Sequence, residues 1–88
     1  MTPEQFTHLS NRVIFYQDAI RQRVTEAKEA YQTSKRTDIP QYAAIQRAKA
    51  IKLLKAVVWH RRRLEQAKKR LVEALMIDLH ITDYEVQE

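Results

Sequence analysis

The sequence predicts an all-α fold, an antiparallel two-helix hairpin, and three observations lead to this prediction. The 88 residues include no glycine and no cysteine, and only two prolines. Glycine is the usual residue of tight β-turns and backbone-lined loops because it tolerates positive φ. Apolar residues recur at helical spacing in two long stretches, and a polar segment ending at a proline separates them. We therefore expect a single helical-hairpin domain over residues 1–88 and no β-rich or P-loop domain.

The first helix is predicted over about residues 3–33. Thr2 is a suitable N-cap, Pro3 has the fixed φ of a first helical position, and Gln5 has the spacing of a capping box. An apolar stripe follows, with steps of three and four residues, as in an amphipathic helix. Its members are Phe6, Leu9, Val13, Tyr16, Ile20, Val24, Ala27 and Tyr31.

The second helix is predicted over about residues 40–76, after a turn at residues 34–39. The turn residues are mostly polar, and Pro40 disfavours helical geometry in the residue before it. We expect Thr37 or Asp38 to cap the second helix. Nothing within its range breaks a helix. Its main apolar stripe is Ala50, Leu54, Val57, Leu64, Leu71 and Leu75.

A short connection makes the two helices antiparallel neighbours. Pairing Tyr31 with Tyr42 across the turn predicts that the second helix extends beyond the first by about two turns. Residues 77–88 form a predicted acidic tail. Within it, Ile77, Leu79 and Ile81 alternate with polar residues, which is typical of extended chain, and residues 82–85 have the pattern of one further capped turn.

Both helices carry more apolar residues than one hairpin interface can cover. The additional residues are Ile14, Phe15, Ile51, Val58 and Trp59. One interpretation is that they are half-exposed surface residues, because much of any protein surface is apolar. The other is a second interface, in which they bind a partner. A single 88-residue chain without disulfides has a small core and marginal stability, which favours the second interpretation. We therefore expect a homodimer that forms a four-helix bundle.

The net charge of +5 is concentrated in the second helix. Residues 47–70 hold ten basic residues and one acid, whereas residues 73–88 hold five acids and no base. Candidate polyanion-binding residues on a predicted basic ridge are Arg47, Lys55, Arg62, Arg63, Lys69 and Arg70. Such a ridge binds phosphates without reading sequence, or contacts an acidic protein. The alternative is a solvated face whose charges pair with Asp18, Glu26 and Glu29 or with the tail.

Several functional classes are not expected. The longest apolar run is far shorter than the roughly 20 residues that cross a bilayer, and the N-terminal residues do not resemble a secretory signal, so we expect a cytoplasmic protein without membrane binding. His8, His60 and His80 lack the spacing of metal ligands, and His60, beside three arginines, is predicted to face solvent. A two-helix hairpin offers no catalytic pocket, so we expect no enzyme, no cofactor and no small-molecule substrate.

The sequence therefore favours a non-enzymatic helical interaction module of the adaptor, co-chaperone or small-inhibitor type. It would self-associate and bind a protein partner through apolar and basic helix faces. The alternative is a nucleic-acid-binding helical bundle that uses the basic ridge, although no recognition motif or base-stacking platform supports it.

Overall fold

The computed structural model of the chain describes residues 1–80, which form a two-helix hairpin. Helix α1 covers Pro3–Arg36 and helix α2 covers Pro40–Asp78, so three residues connect them. The predicted all-α hairpin with a longer second helix is confirmed, and residues 1–80 contain no strand. Ile81 and the predicted capped turn at residues 82–85 lie outside the described part of the chain.

The predicted start of α1 is confirmed by a complete capping box. The backbone N–H of Gln5 donates to Thr2 Oγ1 at 3.2 Å, and the N–H of Thr2 donates to Gln5 Oε1 at 3.0 Å. Helix α1 ends three residues later than predicted, at Arg36, because no proline or glycine at residues 34–36 interrupts it. The buried Ser34 hydroxyl donates to the Tyr31 carbonyl, which satisfies it inside the helix.

The predicted caps of α2, Thr37 and Asp38, are wrong. Ile39 is the N-cap, in an extended conformation with φ −93° and ψ 109°, and no side chain caps the helix. The reason is that Pro40 takes the first helical position, which leaves the preceding residue as the cap. Thr37 instead ends α1, and its Oγ1 accepts a hydrogen bond from the Ile39 N–H at 3.3 Å.

Helix α2 continues two residues further than predicted, so the extended conformation expected at Ile77 is wrong. No proline or glycine interrupts the helix here, and the short alternating pattern does not override its propagation. Leu79 is the C-cap, and its N–H donates to the Leu75 carbonyl at 2.9 Å. His80 follows with φ 55°, the left-handed position that glycine most often fills after a helix and that histidine adopts more readily than most residues.

The helices pack along a continuous seam with the heptad spacing of an antiparallel coiled coil. Buried and half-buried residues recur at alternating steps of three and four in both helices. In α1 the seam residues are Leu9, Val13, Tyr16, Ile20, Arg23, Ala27, Ala30 and Ser34. In α2 they are Ala43, Gln46, Ala50, Leu53, Val57, His60, Leu64, Ala67, Leu71 and Ala74. The predicted stripes are therefore partly wrong, because Tyr31 and Leu54 lie outside the seam and are about half exposed.

Small residues occupy the seam near the connection. This explains why the seam differs from the predicted apolar stripes. A three-residue connection holds the helix axes close together, and Ala27, Ala30 and Ser34 of α1 leave room for that approach. Ala43 and Ala50 of α2 do the same. The aromatic residues near the connection, Tyr31 and Tyr42, lie outside this seam and are exposed.

The predicted two-turn extension of α2 is also wrong. Tyr31 lies beside Arg47 rather than Tyr42. The α-ammonium of Met1 contacts the Asp78 carboxylate, so the two helices end at nearly the same level. The additional residues of α1 shift the register by more than a helical turn.

The hairpin is a layer only one helix thick. The Cα atoms extend over 61 × 29 × 14 Å. Most globular domains bury a core between two or more layers of secondary structure. Here the buried apolar residues are five alanines with Val57 and Leu64, and both broad faces of the layer are open in the part of the chain that the structure describes.

We predict that Ile39→Ser stabilises the hairpin by about 1 kcal/mol, because serine supplies the missing N-cap hydrogen bond of α2 and Ile39 is mostly exposed. Asp38→Ala is the matched control and changes the free energy of unfolding little. Urea unfolding followed by circular dichroism measures both. A loss of about 1 kcal/mol in Asp38→Ala would show that Asp38 is the cap after all.

A second prediction concerns the buried alanines of the seam. Ala30→Leu destabilises the hairpin by about 1–3 kcal/mol, because a larger side chain at a 4% exposed position forces the helices apart. Ala48→Leu makes the same substitution on the exposed side of α2 and changes stability by less than about 0.5 kcal/mol. Thermal unfolding compares the two variants, and equal stability would contradict close packing at Ala30.

Candidate interaction surfaces

One broad face of the hairpin contains an apolar groove between the helices. The groove has a volume of about 430 Å³, and apolar atoms line it. Its lining residues are Val24, Ala27, Lys28, Tyr31, Arg47, Ala50, Ile51 and Leu54. We call this side the groove face.

Two of the predicted partner-binding residues lie on the groove face beyond the groove itself. Val58 follows Ile51 by seven residues, and Ile14 precedes Lys28 by fourteen. Because the seam keeps heptad spacing, residues seven or fourteen apart lie on the same side of a helix. Apolar residues, with Arg21 among them, thus follow this side from Tyr31 to Ile14 over about 25 Å at 1.5 Å per residue, and we call them the apolar strip.

The opposite side, which we call the aromatic face, carries Phe15, Trp59, Tyr42 and Ile45, all exposed. Phe15 and Trp59 each follow a groove-face residue by one position, and this rotation places them on the other side of the seam. The Phe15 ring contacts that of Tyr16 at 5.3 Å between centroids, and Trp59 contacts His60 at 5.1 Å.

A chain of aromatic rings therefore crosses the middle of the hairpin. The Tyr16 and His60 rings meet in the seam with centroids 6.3 Å apart, and they join Phe15 on one helix to Trp59 on the other. The Arg63 guanidinium lies 4.9 Å from the centroid of the Trp59 ring, within the range of a cation–π interaction.

The prediction that His60 faces solvent is wrong. His60 is half-buried in the seam, three residues after Val57 and four before Leu64, and its Nδ1 is buried without a hydrogen-bond partner among residues 1–80. The arginines that follow it point elsewhere because each successive helical residue rotates by about 100°. Seam periodicity, rather than neighbouring charge, is the signal that locates this side chain.

The structure divides the predicted partner-binding set between the two faces. Ile14, Ile51 and Val58 lie on the groove face, and Phe15 and Trp59 lie on the aromatic face. All five are between 50% and 63% exposed. One flat interface cannot contain all five. Sequence reasoning missed Val24, Tyr31 and Leu54 as groove residues because they match the helical period of a core stripe.

The predicted basic ridge is partly corrected. Lys55, Arg62 and Lys69 follow one another at seven-residue steps on the side of α2 away from α1, and we call them the outer basic edge. Arg47 lies apart from them because it lines the apolar groove. Eight residues separate Arg47 from Lys55, a net rotation of about 80°. Arg63 and Arg70 are exposed beside the aromatic face.

The basic residues of α2 are little compensated within the described chain. Residues 1–80 contain four ion pairs, and three of them link neighbours in one helix: Arg23 with Glu26, Lys68 with Glu65, and Lys69 with Glu73. The fourth joins Met1 to Asp78. The predicted pairing of α2 cations with Asp18, Glu26 and Glu29 does not occur among these residues, so most α2 cations have no carboxylate partner within residues 1–80.

A second depression lies at the open end of the hairpin. It has a volume of about 580 Å³ and is lined by Met1, Glu4, Gln5, His8, Leu9, Ala74, Ile77 and Asp78. Within residues 1–80, no three histidine, aspartate or glutamate side chains lie close enough together to hold a metal ion. The Asp78 carboxylate is already bonded to the Met1 ammonium.

Neither family models, nor curated proteins, nor solved structures match this chain significantly. Neither α1 nor α2 has a stretch that is both long and apolar enough to cross a membrane. The surfaces themselves are therefore the basis for proposing a function.

Proposed function

We propose that the protein is a non-enzymatic helical interaction module that self-associates on one face and binds a protein partner on the other. The observation that carries this proposal is a layer one helix thick with large apolar side chains exposed on both sides. Exposed apolar patches that continue along a surface are typical of interaction sites. A second layer, from another copy or a partner, would cover them and complete a core.

The aromatic face is the better surface for self-association because its charges are complementary between the helices. Glu26 and Glu29 of α1 lie on this side, as do Lys49 and Lys52 of α2. The shared groove places Lys28 near the level of Arg47 and Ile51, so these acids and bases lie at similar heights along the hairpin. A two-fold axis parallel to the helices would stack α1 of one copy on α2 of the other and pair them.

The same arrangement would bring Phe15 of one copy close to Trp59 and Arg63 of the other. Aromatic and arginine side chains contribute most at such interfaces. Two stacked hairpins form a four-helix bundle. Self-association in this geometry leaves the groove face of each copy free.

We predict that Phe15→Ser weakens the dimer at least about tenfold, because it removes a large apolar contact from the centre of the interface. Ile14→Ser is the matched control on the groove face and leaves the dimer intact. Sedimentation velocity over a concentration series measures both variants. Trp59, the single tryptophan, gives an independent signal, since its emission shifts to shorter wavelength as the dimer forms.

A chain that remains monomeric at micromolar concentration would contradict self-association. A dimer that dissociates with Ile14→Ser and not with Phe15→Ser would place the interface on the groove face instead.

A nucleic-acid-binding bundle is the second candidate function, and the exposed outer basic edge favours it. Lys55 and Arg62 are exposed and form no ion pair with any described residue, which supports a role in phosphate contacts. Such binding would be independent of sequence and steeply dependent on salt, because phosphate contacts release counterions.

For this candidate we predict that the double variant Lys55→Glu, Arg62→Glu lowers duplex DNA affinity about tenfold or more and reduces the salt dependence. Asn11→Glu with Gln32→Glu adds acids to the outer side of α1 and serves as the control. Fluorescence anisotropy from low to physiological salt measures the affinities. No binding at low salt would exclude this candidate.

A further inference from the structure

The groove face combines an apolar centre with a rim of one charge sign. Lys28 and Arg47 line the groove from opposite helices. Heptad spacing places four more cations on the same side: Arg21 and Lys35, seven residues from Lys28, and Arg61 and Lys68, fourteen and twenty-one residues from Arg47. By the same spacing Glu65 is the one carboxylate on this face among residues 1–80, and it pairs with Lys68.

This charge pattern disfavours a second copy of the chain as the occupant of the groove. Both helices contribute cations to the rim, so any two-fold arrangement of two groove faces brings cations against cations. Like charges at an interface raise the free energy of association by several kcal/mol in unfavourable cases. The aromatic face carries three carboxylates, Glu26, Glu29 and Glu73, among its cations, so opposite charges can face each other there.

We propose that the groove face binds an acidic amphipathic helix of a partner protein. This inference rests on the proposed function and specifies its partner. A helix laid along the groove would insert its apolar residues between Val24, Ile51 and Leu54, which line it. Carboxylates on both flanks of that helix would face Lys28 and Arg47.

The length of the surface defines the ligand further. The apolar strip from Tyr31 to Ile14 is about 25 Å long, which corresponds to a helix of roughly 17 residues. Lys35 limits the strip at the connection end, where its ammonium lies 4.4 Å from the centroid of the Tyr31 ring. The partner segment is therefore a helix of about five turns with an apolar stripe and acidic flanks.

The test uses a labelled 21-residue peptide of three heptads, with leucine at the first and fourth positions of each heptad and glutamate on both flanks. A matched peptide has lysine in place of glutamate. Each is titrated with the full chain near physiological salt, at a peptide concentration well below that of the protein. We expect the acidic peptide to bind at least about tenfold tighter than the basic one, a difference of 1.4 kcal/mol.

Protein variants separate the apolar and electrostatic contributions. Leu54→Asp lowers affinity for the acidic peptide about tenfold or more, because it places a charge in the apolar groove. Lys28→Glu with Arg47→Glu reverses the preference, so that the basic peptide binds tighter. Lys55→Glu with Arg62→Glu makes the same charge change on the outer basic edge, which does not line the groove, and it lowers affinity less than the Lys28 and Arg47 pair does.

Three results would overturn the inference: no binding of the acidic peptide up to about 100 μM protein, equal binding of both peptides, or a shift of Trp59 emission when the peptide binds. The third would place the peptide on the aromatic face. Duplex DNA that binds the chain and loses affinity with Lys28→Glu and Arg47→Glu, while the acidic peptide does not bind, would assign this face to nucleic acid.

The outcomes also distinguish this inference from the proposed self-association. A monomeric chain that still prefers the acidic peptide would contradict self-association and support the groove. A dimer that depends on Phe15 but binds the two peptides equally would support self-association and exclude an acidic helix as the partner.

Discussion

The close approach of two helices joined by only three residues determines the rest of the structure. Near the connection the buried seam residues are small, and Ala30 and Ala43 are among them. An alanine buries little apolar surface, so each such contact contributes much less than a leucine would. The small side chains of the seam thus have two effects: the helices pack closely, and little apolar area is buried between them.

Because the seam buries little apolar area, much of the apolar surface of the hairpin lies on the groove face and the aromatic face. The bulky residues outside the seam lie on the two faces, Tyr31 and Leu54 on one and Tyr42 on the other. The two surfaces differ in charge, because one mixes signs and the other is almost wholly basic at its rim. A single hairpin therefore presents two surfaces of unlike charge within its described residues.

Much of the fold follows from local sequence signals. The capping box at Thr2, the proline after Ile39 and the uninterrupted helix formers of α2 predict both helices within three residues. Local signals do not predict how the exposed apolar residues divide between the groove face and the aromatic face. A residue such as Val24 or Leu54 fits a core stripe and a surface groove equally well, and only the register of the two helices decides between them. That register depends on where α1 ends, which the polar residues 34–36 do not reveal.

The antiparallel seam also sets an order of assembly. Ala30 and Ala43 are close in the chain, whereas Met1 and Asp78, which meet at the open end, are separated by nearly its full described length. Closing the small loop first costs less conformational entropy, so the helices associate from the connection toward the open end. We therefore expect the open end to separate first and its backbone amides to exchange hydrogen fastest. A partner that binds near the connection would meet the most persistent part of the hairpin.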